Sequence, residues 1–385
     1  MLWIIWKITE HILLCLRYDR KRSMVICLCM IVKNESKNIE KCLQSVVDSV
    51  DHYVICDTGS SDGTAEVAEN FMSQRGKEGK ILHHEWVDFG TNRTWALDAC
   101  RGRCTWAVVI DADDWVDGRM DASVLDDSVD GYRVKVESES FSNHRVQILN
   151  MKRKHWVYRD PIHEYPHCDG DMHIRTLEGD YIWRTGVHGC RSGESADQRI
   201  KYMKDYWAIE KYLLDDPDNS RMRFYLGQSA FDAGEYGLAE RAYQDRIGME
   251  GWRDEVFYSW HRIAACREHM KMPAKDIIDA CAHAIEMDHE RAEPYVQASR
   301  VLRMSGMLRS AYAFASSGVG KMINREKLFV HKDCYLWRIY DEVGATAYYA
   351  GKMEEGRKAC ERLLTEGHLP AEHIPRVESN LRFYN

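Results

Sequence analysis

One stretch, residues 105–115 (TWAVVIDADDW), constrains the fold of this chain more than any other. Its first half is an apolar run, residues 106–110, of the kind found in the fully buried strands of parallel sheets. Its second half places three carboxylates, Asp111, Asp113 and Asp114, within four residues. Because open α/β sheets bind ligands at the carboxyl ends of their strands, the stretch predicts a strand that carries acidic groups to a ligand site.

Two interpretations fit these clustered carboxylates. Their mutual repulsion is relieved by a bound cation, and Mg²⁺ or Mn²⁺ suits carboxylate oxygens and keeps substrate phosphates as further ligands. Alternatively, the residues form an acidic turn that caps a following helix. The sequence upstream favours the cation.

Strands alternate with helices in that upstream part of the chain. The predicted strands and helices occupy, in chain order, residues 24–32, 36–50, 53–56, 64–73, 80–84 and 91–101. Such alternation is typical of a parallel sheet with right-handed crossovers. No GxGxxG follows the first strand, so a dinucleotide site of the Rossmann type is not expected.

Polar residues follow each of these strands. Asn34 and Glu35 come after the first strand, and Asp57 comes after the second, directly before a Gly/Ser turn. The Asp57 carboxylate could accept hydrogen bonds from a nucleobase or ribose, or it could stabilise the turn. Arg93 lies at the start of the third helix, where its guanidinium and the helix dipole both favour phosphate; a solvated arginine is the alternative.

Four blocks of sequence then stand in a recognisable order: MIVKNE at 30–35, DTGSSDGT at 57–64, FGTNR at 89–93 and DAD at 111–113. Together they resemble the family 2 glycosyltransferases of GT-A fold, and more narrowly their subgroup with a helical-repeat C-terminus. The resemblance covers residues 24–265 well. It implies a nucleotide-sugar donor, usually UDP-linked, a divalent metal, and inversion at the anomeric carbon.

The resemblance also implies roles for individual residues. Asp57 would contact the nucleobase or ribose, and Arg93 would lie beside the diphosphate. Asp111 would contact the ribose or the metal, and Asp113 would bind the metal. The implied donor site is completed by Val32, Asn34, Glu35 and Ala112.

The acceptor is expected to bind beyond that point, on an antiparallel edge of the sheet formed by strands at 131–137 and 146–149. Inverting transfer is a single displacement that needs a base opposite the leaving nucleotide. His163 and Glu164 match a His-Glu pair of the resembled subgroup. They are therefore the candidate bases, with Asp160 behind them. A structural pair at a strand end is the alternative.

A second metal ligand is predicted at His188, which ends the apolar stretch 181–187 just before a glycine. This position resembles that of the distal metal-ligating histidine in many GT-A enzymes, and imidazole suits Mn²⁺. A structural histidine is the alternative. The metal would act as a Lewis acid and template for the departing diphosphate.

From about residue 195 the sequence pattern is helical to the end. Small and aromatic residues around Tyr225–Tyr243 resemble a tetratricopeptide (TPR) repeat, and weaker echoes follow near 260–285, 295–316 and 335–364. Gly234, Gly306 and Gly351 mark the expected turns. Such arrays stack into a curved surface that usually binds peptides or proteins. The array therefore favours a protein or peptide acceptor.

We therefore predict a GT-A-type α/β domain, with a Rossmann-like, mixed and mostly parallel sheet, at 24–194, and an α-helical TPR-like repeat domain at 195–385. The predicted activity is metal-dependent, inverting transfer of a hexosyl-type sugar from a nucleotide-sugar (UDP-linked) to a protein, peptide or glycan. A nucleotidyltransferase and a catalytically inactive scaffold are the alternatives. The lack of a Gly-rich phosphate loop counts against the first, and retention of the acidic, Arg93 and His188 positions counts against the second.

Composition limits the kinds of partner and the cellular compartment that are expected. A net charge of −8 and a pI near 6.1 argue against nucleic-acid binding. Thirteen cysteines without CxxC pairs indicate a reduced, cytoplasmic protein. The apolar runs in residues 1–23 are too short to span a membrane; an interfacial helix that touches a membrane surface, a packing helix and an extension upstream of the true start all fit. The helical array could also pair two subunits as a homodimer.

Overall fold

A computed structural model describes residues 24–137, 142–186, 198–324 and 327–384. The chain divides into two compact units, Met1–Ala196 and Asp197–Asn385. The expectations placed on residues 1–23 lie outside the described residues. Within the described ranges, no helix combines the length and apolarity needed to cross a membrane.

Unit 1 is an α/β structure built on one large sheet. Its elements are β1 (Ile26–Val32), α1 (Ile39–Val46), β2 (His52–Asp57), α2 (Thr64–Gln74), β3 (Glu78–His83), α3 (Phe89–Cys100), β4 (Trp106–Val109), β5 (Trp115–Gly118), β6 (Gly131–Glu137), β7 (Ser142–Asn150), β8 (Val157–Arg159), β9 (Tyr165–His167), β10 (Ile174–Thr176) and β11 (Tyr181–Arg184). The strand order is β3-β2-β1-β4-β7-β6-β11-β5, with β10 beside β6, while β8 and β9 form a separate ribbon.

The apolar runs form the centre of this sheet. β1 pairs in parallel with β2 on one side and with β4 on the other, and every residue of β1 and β4 is buried. Alternate side chains of β1 enter two different cores: Leu28 packs with α1 and α2, and Cys29 packs with α3. Because helices cover both faces, these strands are apolar throughout and not alternating.

The antiparallel part of the sheet differs from the expectation. We predicted an antiparallel edge, but β7 lies inside the sheet, antiparallel to both β4 and β6. Only the end of β7 carries the signature of an inner strand, since Ile148, Leu149 and Asn150 are buried while Asn143 and His144 are exposed. The first half of β7 is polar, and this polarity is typical of an edge.

Unit 2 is a series of helical hairpins. Its helices are α4 (Gln198–Tyr212), α5 (Ser220–Asp232), α6 (Tyr236–Ile247), α7 (Arg253–His269), α8 (Ala274–Met287), α9 (Glu293–Met304), α10 (Leu308–Gly318), α11 (Ile339–Thr346), α12 (Met353–Thr365) and α13 (Ile374–Leu381). Gly234, Gly306 and Gly351 occupy the turns at positive φ. Lys271 takes the same conformation, φ 56°, between α7 and α8. Because no glycine marks this turn, the spacing of glycines did not predict the α7–α8 hairpin. The predicted fold class, a GT-A-type domain followed by TPR-like helices, is confirmed.

A buried ion pair joins two of these helices. Arg246, on α6, is fully buried and donates from Nε to Oε2 of Glu255, on α7, at 3.0 Å. The same guanidinium donates to the carbonyls of Met249 and Trp252. Burying two charges is costly unless they are paired and hydrogen-bonded, so each partner depends on the other.

We expect Glu255→Ala to lower the free energy of unfolding by about 3–5 kcal/mol, because it leaves the buried Arg246 charge without its carboxylate. Urea denaturation followed by circular dichroism measures the change. The control Glu366→Ala removes an exposed pair with Arg362 and should change stability by at most about 1 kcal/mol. Equal, small effects of the two substitutions would contradict the interpretation.

Candidate functional site

The strand order places the predicted donor residues at one edge of the sheet. β2, β1 and β4 are adjacent and parallel. Val32–Glu35, Asp57 and residues 111–114 therefore follow neighbouring strands at the same edge. The chain runs from β1 through β2 to β3 on one side and then returns to place β4 on the other side of β1. Open α/β sheets bind ligands at such a reversal of strand order.

Asp57 is buried and has a structural role. Its Oδ1 accepts hydrogen bonds from the backbone N–H groups of Gly59 (3.0 Å) and Ser60 (2.8 Å), and the turn uses Gly59 at φ 102°. The Asp57 Oδ2 lies 3.8 Å from Nδ1 of the exposed His83. The turn-stabilising interpretation of Asp57 is therefore correct, and the residue also lines a cavity.

The end of β1 holds this turn in place. The Val32 carbonyl accepts from the Thr58 N–H at 2.9 Å. The Asn34 Oδ1 accepts from the Ser61 N–H at 2.8 Å, and the Asn34 backbone has φ 54°. Val32 and Asn34 thus shape the β2–α2 loop. Glu35 is buried and donates its N–H to the Thr64 hydroxyl at 2.8 Å.

A cavity of about 740 Å³ opens beside these residues. Its lining comes from the end of β1, from the 57–63 loop with the start of α2, and from the end of β3 with the residues that follow it. The lining residues are Lys33, Asp57, Thr58, Gly59, Ser60, Ser61, Gly63, Ala65, Glu66, His83, His84, Glu85 and Trp86. The volume is within the range of small-molecule sites.

Arg93 connects two groups of candidate residues. Its side chain is 9% exposed, and it donates from Nη2 to Oδ1 of Asp111 at 2.5 Å and from Nε to Oε1 of Glu164 at 2.7 Å. Burial alone would lower the pKa of Arg93, but the charges of Asp111 and Glu164 outweigh burial and raise it. The alternative interpretation, a solvated arginine, is wrong, because the guanidinium is buried and pairs with two carboxylates.

The start of α3 is packed against the loop that carries Glu164. No Cβ would fit at Gly90, since it would collide with the Asp160 carbonyl. The Phe89 N–H donates to the Pro161 carbonyl at 3.2 Å. These contacts place Arg93, one turn further along the helix, beside Glu164.

The carboxylates after β4 are crowded. Burial raises the pKa of Asp113 to about 6, and the like charges of Asp111 and Glu35 add to this effect. Burial also raises the pKa of Asp114, although its carboxylate accepts from Trp183 Nε1 and from the Gly186 N–H. An additional positive charge at this edge would favour the ionised forms.

These residues fit a hard divalent cation only in part. Among the described residues, no three His, Cys, Asp or Glu side chains are grouped so that they could hold a metal ion. One oxygen of Asp111 is bound by Arg93, and His188 lies outside the described residues. Mg²⁺ commonly uses one or two carboxylates and takes its other ligands from substrate phosphates and water, and Asp111 and Asp113 match that pattern.

The candidate bases lie in one loop but in different environments. Glu164 has a side chain that is 14% exposed and is paired with Arg93. His163 is exposed and Asp160 is buried, and both adopt positive φ, 55° and 72°. Positive φ is uncommon outside glycine and is frequent at functional sites.

Comparison with known proteins agrees with this geometry. Residues 27–170 match the family model described as Glycosyl transferase family 2. These residues form a family 2 glycosyltransferase domain. The chain is also 27% identical over 313 residues to a TPR repeat-containing protein of Synechococcus elongatus, covering 76% of this chain and 75% of that protein.

Two further similarities are partial. The lipopolysaccharide core biosynthesis glycosyltransferase LpsC of Rhizobium meliloti is 27% identical over 117 residues, which is 29% of this chain and 40% of LpsC. The crystal structure of S. aureus TarS 1–349 in complex with UDP-GlcNAc has a TM-score of 0.42 and 14% identity, with 74% of this chain and 92% of that chain covered.

Sequence reasoning missed part of the lining of the cavity. His83, His84 and Trp86 come at the end of β3 or just after it. The rule that selected Asp57 and Asp111, polar residues after a parallel strand, would also have selected this segment. Asp114 was noted only as part of the acidic cluster, because its contacts with Trp183 and Gly186 lie far away in sequence.

We expect Asp113→Asn to raise the melting temperature of the metal-free protein by a few degrees above pH 6. A carboxyl whose pKa is raised in the folded state, from 3.8 to about 6, contributes stability below pH 4 that is lost as the pH rises to 6. Because asparagine does not titrate, the variant does not lose this stability as the pH rises. Thermal unfolding in EDTA at pH 4 and pH 8 measures it; a difference between variant and wild type that does not change with pH would contradict the expectation.

Proposed function

We propose that this chain transfers a sugar from a UDP-linked donor to a protein, peptide or glycan acceptor, with inversion and with the help of Mn²⁺ or Mg²⁺. The observation that carries the proposal is the convergence at one sheet edge of a cavity of small-molecule size, crowded carboxylates and a buried arginine. The family 2 glycosyltransferase domain supports the reaction class. The donor base, the metal and the acceptor are our proposals.

The donor nucleoside is proposed to occupy the cavity beside Asp57. The Asp57 Oδ2 would accept from a base N–H or a ribose hydroxyl, since Oδ1 is held by the turn. His84 and Trp86 also line this cavity, and aromatic side chains stack on nucleobases. Val32, Asn34, Glu35 and Ala112 would act mainly by shaping this end of the sheet.

Asp113 is proposed to hold the metal, with Asp111 beside it and His188 as a distal ligand. When bound, the metal would supply charge neutralisation and Lewis acidity to the donor diphosphate. Arg93 would contribute a second positive charge at the same edge. The family's nucleotide donor would bring the phosphate oxygens that complete the ligand set.

Glu164 is the proposed base. It would take the proton of the acceptor hydroxyl while the acceptor oxygen bonds to the anomeric carbon; the bond from that carbon to the phosphate oxygen breaks, and its electron pair leaves with the nucleoside diphosphate. Arg93 holds both Glu164 and Asp111. The proposed base and Asp111, on the donor side, therefore bind the same guanidinium. His163 and Asp160 are the alternative bases.

The helical hairpins of unit 2 support a protein or peptide acceptor, because stacked repeats generally bind such partners. LpsC is named for lipopolysaccharide core biosynthesis, which keeps a glycan acceptor as the second candidate. The family 2 match disfavours a nucleotidyltransferase. A catalytically inactive scaffold is distinguished by incubating the protein with UDP-sugars and Mn²⁺, because slow donor hydrolysis would release UDP.

We expect Asp113→Ala to abolish Mn²⁺-dependent UDP binding in calorimetry, since the metal would lose its main carboxylate. The control Asp98→Ala removes an exposed carboxylate paired with Arg101 and should leave UDP affinity unchanged. Wild-type affinity in Asp113→Ala would defeat the metal assignment.

We expect Glu164→Gln to bind UDP within about threefold of wild type but to lose 10²-fold or more of its donor hydrolysis or transfer, the usual contribution of a general base. The amide oxygen can still accept from Arg93, so the geometry is retained. UDP release with a UDP-sugar and Mn²⁺ measures the loss. Normal turnover would move the role to His163 or Asp160.

A further inference from the structure

Helix α4 of unit 2 carries apolar side chains on two opposite faces. One face is covered within the unit, because α4 packs against α5 and Tyr206, Ile209 and Leu213 are buried. The other face is exposed. A helix at the surface of a folded domain normally has one apolar face with polar residues opposite, so the second apolar face indicates a partner.

The exposed apolar side chains of α4 repeat every seven residues. Ile200, Trp207 and Leu214 have exposed fractions of 52%, 56% and 79%. Lys204 and Lys211 lie between them in sequence and are also exposed. The Leu214 N–H donates to the Lys211 carbonyl at 3.2 Å, which continues the turn past the end of α4. Intervals of four and three residues place these five side chains on one face of a helix; we call this face the α4 stripe.

The charged residues of the α4 stripe are both lysines. Glu210 is the exposed carboxylate of α4, but it accepts from the hydroxyl of the buried Tyr206 at 3.3 Å and so lies on the flank of the stripe. Asp215 is exposed beyond the end of the helix and offsets part of the positive charge. The stripe itself therefore fits a partner that combines apolar surface with negative charge.

A second copy of this chain fits the α4 stripe poorly. A two-fold contact brings the same surface of both copies together, so Lys204 and Lys211 of one copy would lie close to the lysines of the other. The stripe is also small, because a helix of 15 residues is about 22 Å long and about 10 Å wide. A standard protein interface covers roughly 800 Å² on each partner.

The surface of a bilayer with anionic lipids has both of the required properties. Interfacial helices bury Trp, Leu and other apolar side chains at the boundary between headgroups and acyl chains, while lysines reach the headgroups. Tryptophan is enriched at this boundary because its ring is apolar and its N–H is polar. Since salt screens charges beyond about 10 Å at 0.1 M, the net charge of −8 on the whole chain opposes this local attraction only weakly.

A second stretch of the chain has a similar composition. Residues 1–23 contain Trp3 and Trp6 in an apolar run and, further on, Arg20, Lys21 and Arg22. An interfacial helix is one of the interpretations that fit this sequence. The observation is independent of α4, and both stretches favour the same kind of partner.

We propose that the α4 stripe docks this protein on the surface of an anionic membrane, with Trp207 in the interface and with Lys204 and Lys211 against the lipid headgroups. Such a contact needs no helix that crosses the bilayer, because an interfacial helix lies in the plane of the surface. The inference goes beyond the proposed sugar transfer and does not rest on it.

Co-sedimentation of the full chain with vesicles in about 0.1 M NaCl tests the proposal. The vesicles are phosphatidylcholine alone, or phosphatidylcholine with about 30% phosphatidylglycerol. We expect wild type to bind the anionic vesicles at least tenfold more tightly than the neutral ones. Lys204→Gln combined with Lys211→Gln should lower that binding at least tenfold, since each lysine near an anionic surface contributes about fivefold. Trp207→Ser should lower it at least fivefold.

Matched controls separate the α4 stripe from the rest of unit 2. Lys275→Gln combined with Lys332→Gln changes two exposed lysines outside the stripe and alters the net charge by the same amount. Trp252→Ser removes another exposed tryptophan, with an exposed fraction of 49%. Both controls should bind anionic vesicles within about twofold of wild type.

The proposal is overturned if wild type shows no preference for anionic vesicles, if the stripe variants bind as wild type does, or if the controls lose as much binding. A wild-type dimer that Trp207→Ser dissociates, measured by sedimentation velocity, would assign the stripe to a second copy and would also overturn it. If Trp207→Ser does not fold by circular dichroism, the lysine variant carries the test. No nucleotide-sugar is present, so the outcome is independent of the transfer experiments.

Discussion

The candidate site depends on one buried cation. Arg93 pairs with Asp111, at the end of β4, and with Glu164, in the loop before β9. Removing a guanidinium from water is costly, and pairing with the two carboxylates offsets that cost. The three residues come from distant stretches of the chain, so this contact fixes the end of β4 relative to the loop before β9, which are the proposed donor and acceptor sides. Asp160 and Gly90 support it, because their close approach holds α3 against the loop.

The same edge remains short of positive charge. Asp113 and Asp114 both have raised pKa values through burial and through repulsion by neighbouring carboxylates, Asp111 above all, and Arg93 is already paired with two carboxylates. Such an arrangement is less stable at neutral pH than a neutral edge would be, and function is the usual reason for retaining it. A metal ion bound with a diphosphate would supply positive charge to these carboxylates, whereas a free nucleoside would not. The crowded carboxylates after β4 thus account both for the cost in stability and for the proposed metal binding.

Much of this was predictable from local sequence. The apolar runs of β1, β2 and β4 are long enough to identify buried strands, and the polar residues that follow them mark the ligand edge. Other features were not predictable, since they depend on distant partners. Nothing near Arg93 indicates that Glu164 will pair with it. The polar first half of β7 concealed an inner strand, and Lys271 concealed a turn because the left-handed conformation is normally signalled by glycine.

The position of β7 sets the order in which the domain can be completed during synthesis. β4 pairs on one side with β1, but its other partner is the end of β7, where Trp106 lies opposite Asn150. Until the ribosome has released the chain beyond Asn150, β4 presents an unpaired apolar border, a template for pairing with other nascent chains. The acidic turn after β4 is therefore supported on both sides only late in translation. Premature termination within residues 110–150 would yield an incomplete sheet with an exposed apolar strand, which would aggregate instead of forming a smaller enzyme.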